Sequence, residues 1–180
     1  MRIIAGKWRG QPLTPVGKGD AAAHLRPTSD RVREALFSMI TSRVNLDGIR
    51  VLDLFAGTGA LGLEALSRGA FHATFVDQGR KAQTLIRANI ARLRAANAEL
   101  IGTDATRLPH GQPADLIFLD PPYGKELGAP ALASAQAQGW ITPDALIVWE
   151  DSRPQSAPGF TELTSRRYGD TAITLLEPAP

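Results

Sequence analysis

Asp120-Pro121-Pro122-Tyr123 sets a carboxylate, two prolines and an aromatic ring directly after the apolar run Leu116-Ile117-Phe118-Leu119. The run reads as a buried strand, and proline stops it because proline cannot continue a sheet ladder. The chain leaves with unpaired carbonyls, a carboxylate and a ring in one place. That set suits a planar base with an exocyclic amino group. Asp120 and the Pro121 carbonyl can accept its two N–H bonds while Tyr123 stacks on its plane. Such a nitrogen is a poor nucleophile until its lone pair is localised, and Asp120 would stabilise the positive charge that develops on it. The four residues alone fit a strand-ending turn with a surface tyrosine equally well.

A second constellation lies upstream. Asp53-Leu54-Phe55-Ala56-Gly57-Thr58-Gly59-Ala60-Leu61-Gly62 spells GxGxxG after a strand, a weak signal shared with dinucleotide-binding enzymes. Asp53, before the glycines, would repel a pyrophosphate but can balance a cation or accept from an amino group. Asp77 ends the next strand, where an acid can hold both ribose hydroxyls. Asp104 ends the third, after Gly102-Thr103, where adenine would lie. Three acids at successive strand ends, with a glycine loop, suit a ligand with ribose and adenine but no phosphate. S-adenosylmethionine is such a ligand, with a positive sulfonium and an ammonium; NAD is the alternative for the loop, and Asp120 to Tyr123 argue against it. Phe55, Gly57, Gly59 and Ala105 complete the expected cofactor set with Asp53, Asp77 and Asp104.

These residues need a scaffold that brings strand ends together. Strands are expected at 51–55, 74–77, 99–102, 116–120 and 145–150, and helices at 60–67, 80–96 and 125–138. A helix also starts after Pro27-Thr28-Ser29-Asp30, with Val32, Leu36, Phe37 and Ile40 at helical spacing and a Ser or Thr cap. Residues 160–176 read as a terminal antiparallel hairpin turning near Tyr168-Gly169-Asp170. Repeated strand-helix-strand units mean an α/β fold: a mostly parallel sheet with helices on both faces, binding ligands at the carboxyl ends of its strands. Arg2 to Ala5 and Trp8 to Leu13 read as a small N-terminal hairpin around Gly6-Lys7.

The 180 residues suit one core, and the net charge is only +2. Its placement is uneven: residues 1–33 hold seven basic residues against Asp20 and Asp30, leaving the remainder acidic. A basic arm with Trp8 among its charges fits a phosphate backbone, with Arg2, Lys7, Trp8, Arg9 and Arg26 as the contacts. Packing of Trp8 onto the body is an equal alternative. There is no cysteine, which excludes disulfides and thiolate chemistry, and His24, His72 and His110 are scattered, so no metal site is expected. The start is too briefly apolar for a signal peptide and no stretch is long enough to span a membrane, so the expected location is the cytoplasm. A monomer is expected.

With these motifs in hand, the chain resembles class I S-adenosylmethionine-dependent methyltransferases, and more closely the bacterial 16S rRNA guanine-N2 methyltransferases of the guanine-966 type. The resemblance is carried by Met1 to Gly10, by Leu25-Arg26-Pro27-Thr28-Ser29-Asp30-Arg31-Val32-Arg33-Glu34-Ala35-Leu36-Phe37, by Val51 to Ala65, and by Asp120 to Tyr123. It implies a Rossmann-like seven-stranded sheet preceded by an RNA-contacting hairpin, here residues 1–25 as arm and loop and 26–180 as the methyltransferase domain. It implies that the Gly57–Gly59 loop cradles the methionine part of the cofactor, that Asp77 holds ribose, that Asp104 lies at the adenine and that Asp120 to Tyr123 form the target pocket. It further implies that the stretch holding Arg26 and Thr28 closes over the site, and that the partner is 16S rRNA or a small-subunit particle. Gln11 departs from the family, where a basic residue is common. A DNA adenine-N6 methyltransferase shares both motifs but usually needs a larger recognition segment. A non-catalytic RNA-binding domain would have no need of Asp53, Gly57, Gly59 and Asp120.

Overall fold

A computed structural model describes residues 1–17, 25 and 28–180. Its elements alternate as α1 (Asp30–Thr41), β1 (Arg50–Leu54), α2 (Ala60–Ser67), β2 (His72–Val76), α3 (Arg80–Leu93), β3 (Ala98–Ile101), β4 (Ala114–Leu119), α4 (Gly128–Ala137), β5 (Ile141–Asp151), β6 (Phe160–Tyr168) and β7 (Thr171–Pro178). The strands form one sheet in the order β3-β2-β1-β4-β5-β7-β6. β1 to β5 pair in parallel, whereas β7 pairs antiparallel with both β5 and β6. The sheet is therefore mixed, where the sequence reading put a mostly parallel one. The parallel part arises because each crossover is a helix; the antiparallel edge arises because β6 and β7 are joined by a tight turn.

Side-chain alternation divides the core in two. Val51, Phe75, Leu116, Phe118 and Val148 face α1, α2 and α3, while Leu52, Leu54, Ile117, Leu119 and Trp149 face α4. Helix α2 is buried along its whole length, so it can lie flat on the sheet only if its inner side is small. A Cβ on Gly62 would sit 2.4 Å from the Phe75 ring, which makes glycine obligatory there. Helix α1 begins at the Ser29 cap, whose hydroxyl accepts the Val32 N–H, as expected of a Ser or Thr in this stretch. Helices α3 and α4 are shorter than their sequence patterns suggest. Arg94 turns left-handed and ends α3, and Glu126 does the same before α4.

The N-terminal arm departs from the expected hairpin of two strands. Its ribbon is held by one antiparallel bridge, Arg2 to Pro12, with Ile3 and Gly10 bonded across it. Gly6 and Gly10 are left-handed and break the extended runs. The intervening N–H groups turn to helix α2 instead of a partner strand. Glu64 accepts Ile4 N–H at 2.8 Å and Ala5 N–H at 3.0 Å, and Ser67 takes Lys7 N–H on its carbonyl and Trp8 N–H on its hydroxyl. Ile3 and Leu13 are buried in the same cluster as α1 to α3. The fully buried Glu64 also accepts from Arg68 Nε at 3.0 Å and lies 3.8 Å from the equally buried Arg33.

Glu64→Ala leaves two arm N–H groups and the partly buried Arg68 guanidinium without their acceptor, and the buried Arg33 without its neighbouring charge. The expected loss is about 3–5 kcal/mol of unfolding free energy, read by urea denaturation, with early proteolysis inside residues 1–13.

Candidate active site

The carboxyl ends of β1, β2 and β4 surround a cavity of about 790 Å³. It lies where the strand order reverses between β1 and β4, the place such sheets use for ligands. Of the sequence-predicted residues, Asp53, Phe55, Gly57, Asp77, Ala105, Asp120, Pro121 and Tyr123 line it. Gly59 and Asp104 do not. Gly59 is left-handed at the start of α2 and packs near Phe75, and the Asp104 carboxylate folds back on Thr106, accepting its N–H and hydroxyl. Those bonds hold Asp104 below the ordinary aspartate range, and its neighbours Thr103 and Ala105 reach the cavity in its place.

The loop after β1 is strained and pinned. Phe55 adopts φ 57°, rare for a residue with a Cβ, and Gly57 adopts φ 60°. Asp77 fixes it from β2, accepting Gly57 N–H at 3.0 Å on one oxygen and Gly79 N–H at 2.8 Å on the other. Asn89 fixes it from α3, donating to Thr58 O at 2.8 Å, and the same side chain accepts the arm's Thr14 N–H at 2.7 Å. Nothing in the sequence around Asn89 announces that double role.

Three carboxylates gather on the α1 side of the sheet. Asp53 is buried under α2 and accepts Gly62 N–H at 3.0 Å; burial pushes it up to about 8, opposed by that N–H and reinforced by Asp77. Leu119 pairs with Trp149 in the β4–β5 register, so the next residues, Asp120 and Glu150, stand side by side at the cavity. Burial raises Asp120 well above the usual carboxylate range, and the charges of Glu150, Asp53 and Asp151 raise it further. Glu150 is also raised by burial, with the Thr28 hydroxyl acting against it at 3.3 Å. Across the opening, the Tyr123 hydroxyl meets Thr171 Oγ1 at 3.3 Å, tying the target loop to β7.

Comparison with known proteins decides the family. The profile described as Conserved hypothetical protein 95 matches residues 1–177. The Ribosomal RNA small subunit methyltransferase D of Escherichia coli (strain K12) is 39% identical over 160 residues, covering 88% of this chain and 78% of that protein. Its Haemophilus influenzae namesake is 38% identical over 186 residues, covering 98% and 93%. The chain belongs to the ribosomal RNA small subunit methyltransferase D family. The solved structure of yhhF from Escherichia coli superposes with a TM-score of 0.85 at 35% identity, covering 99% of this chain and 97% of that one. The fold is the Rossmann-like class I methyltransferase fold; the magnesium protoporphyrin IX methyltransferase of Synechocystis shares it at a TM-score of 0.65 and 15% identity, covering 99% and 88%.

In this family member the basic arm leads to the cavity edge, where Met1 is part of the lining. Arg2 is exposed and pairs with Asp30 at 3.0 Å. Lys7 lies 4.4 Å over the Trp8 ring, and Trp8 is half-buried against the core, so the ring both packs and presents a face. Arg9 is exposed, and Arg26 lies outside the described residues. Among the described residues no helix is long and apolar enough to cross a membrane, and no group of three or more His, Cys, Asp or Glu side chains is arranged to hold a metal ion. Sequence reasoning missed Arg33, Glu64, Asn89 and Glu150, all placed by tertiary packing.

The raised carboxyl of Asp53 carries a stability signature. Asp53 binds its proton more tightly folded than unfolded, so its contribution is complete below the ordinary value of 3.8 and is lost as pH rises through about 8. Asp53→Asn should flatten the decline in that window by at most about 1.4 kcal/mol per pH unit. Urea unfolding at pH 5, 7 and 9 measures it; parallel pH dependences in the two proteins would refute it.

Proposed function

We propose that this protein transfers a methyl group from S-adenosylmethionine to the exocyclic N2 amino group of a guanine in 16S rRNA of the small ribosomal subunit. The observation that carries the reading is the row of acids around one cavity. Asp53 on β1, Asp77 after β2 and Asp120 after β4 all line it, with Pro121 and Tyr123 following Asp120. Carboxylates gathered at the strand ends suit the positive end of a cationic ligand. Asp77 uses each oxygen once on backbone N–H groups, leaving lone pairs for ribose hydroxyls. The cofactor, when bound, supplies an electrophilic methyl group on a sulfonium.

The protein's own part is to hold the base. Asp120 and the Pro121 carbonyl accept the two N–H bonds of the target nitrogen, which turns its lone pair toward the methyl. Tyr123, anchored through its hydroxyl to Thr171, fixes the plane of the base. Positive charge developing on nitrogen is met by the Asp120 carboxylate in a site of low dielectric. The base enters unpaired or flipped, and Arg2, Lys7, Arg9 and Arg26 with the Trp8 ring hold the surrounding backbone. The named relatives' shared description as rRNA small subunit methyltransferases supports this substrate. The protein works in the cytoplasm as a monomer, with residues 1–25 as the RNA-contacting segment and residues 26–180 as the methyl-transferring domain.

Radiolabelled methyl transfer to small-subunit particles, naked rRNA and duplex DNA, followed by identification of the product base, tests the assignment. N2-methylguanine in rRNA is expected; label recovered solely as N6-methyladenine in DNA would overturn it. Asp120→Ala should abolish turnover while calorimetry finds cofactor affinity within about threefold of wild type. Replacing Arg2, Lys7 and Arg9 together by Ala should raise KM for RNA and reduce the salt dependence of binding by roughly three contacts' worth, with little change in cofactor affinity.

A further inference from the structure

Glu150 belongs to neither motif that defines the cavity, yet it faces the cavity beside Asp120. Parallel pairing of β4 with β5 sets the two carboxylates on adjacent strand ends and on the same face of the sheet. Glu150 is buried, and the hydroxyl of Thr28 reaches both its oxygens, at 3.4 and 3.3 Å. Thr28 comes from the segment before α1, so a separate part of the chain crosses the sheet's end to meet this carboxylate. Arg33 on α1 lines the same cavity with no exposed surface, and its Nε and Nη1 have no hydrogen-bond partner among the described residues. Its charge is met by Asp30 at 2.7 Å and Glu64 at 3.8 Å, which leaves it a fixed cation at the wall of the cavity. A carboxylate that served only to finish β5 would need neither the hydroxyl nor a place at the cavity.

We propose that Glu150 is the positioning residue of a proton-sharing pair with Asp120, in which Asp120 touches the target nitrogen and Glu150, held by Thr28, sets how readily Asp120 takes its proton. The inference rests on amino-group methylation in this cavity. The nitrogen lone pair forms the N–C bond as the C–S bond breaks and its electrons return to sulfur, leaving a neutral thioether. The nitrogen, now positive, gives one N–H proton to Asp120. Two carboxylates this close share a single proton between them, so the pair passes from none to one as the nitrogen gives up its proton, and then releases it to solvent. The raised proton affinity of both groups accords with this. Asp53 on β1 and Asp151 on β5 add their charges to the pair, and Asp77 after β2, Arg33 on α1, Arg80 and Lys81 at the start of α3, and Lys125 after the target loop line the same cavity.

The test is Glu150→Gln, which keeps size and the Thr28 bond and removes the charge. The expected result is a fall in kcat on the order of a hundredfold together with a downward move of the acidic limb of the kcat–pH profile by about one unit. Thr28→Val should move the limb upward, because Glu150 loses its donor, and it decides the matter if the glutamine variant fails to fold. Carboxyl-carbon NMR titration of the free protein reads the same pair without any substrate: the Asp120 midpoint should fall in Glu150→Gln by the same amount as the limb. An unmoved Asp120 midpoint, or lower kcat with an unmoved limb, would overturn the proposal. Absence of methyl transfer by the wild-type protein to any nucleic acid would instead refute the proposed function, and the titration would still judge the pair.

Discussion

The buried carboxylate of Glu64 is the point on which the rest of the molecule converges. A fully desolvated charge is tolerated only where its lone pairs are occupied, and here the arm's Ile4 and Ala5 N–H groups and Arg68 occupy them, with Arg33 alongside. The arm thereby becomes part of the wall of α2, and α2 is the helix whose first turn carries the glycine loop. Gly6 shows how closely the two parts meet, since a Cβ there would lie 1.9 Å from the Ser67 carbonyl oxygen. A charge network from Arg2 through Asp30 to Arg33 runs from the exposed arm to the cavity wall.

The cavity itself is a consequence of topology and parity. Strand order reverses between β1 and β4, which opens a crevice at their carboxyl ends, and the period of two along each strand decides which residues face it. Asp53, Asp120 and Glu150 share one side for that reason. Burial then does to all three what a hydrophobic wall does to any carboxylate, favouring the neutral form, while Gly62 N–H and the Thr28 hydroxyl pull two of them back. The surroundings thus grade three chemically similar groups into different proton affinities.

Much of this was legible in the residues. Helix α2 falls on the span read from the sequence, because a left-handed glycine opens it and the apolar run fills it. Both constellations came together in one cavity, since strand ends in a parallel sheet must meet. What the sequence concealed follows a pattern. Glu64 lies inside an apolar helical run and Glu150 at the end of an apolar strand, where an acid reads as an edge residue unless its partner from distant sequence is known. The arm's extended stretches pair only at their outer ends, through Ile3, Gly10 and Leu13, because the N–H groups of Ile4 and Ala5 found an acceptor on α2 some 60 residues away in sequence. Asp104 had the position of a ligand-binding acid but was captured by Thr106 two residues on, the ordinary fate of an aspartate at a strand end.

Asn89 joins two parts that are far apart in sequence, taking Thr14 N–H on its oxygen and giving its amide to Thr58 O. One planar group cannot reorient for one neighbour without disturbing the other. A ligand that ordered the arm would hold the same amide that pins the glycine loop, and would so relieve part of the entropy cost of ordering its counterpart. Two ligands that never touch would then assist each other's binding, and by thermodynamic reciprocity the assistance is equal in either order of arrival.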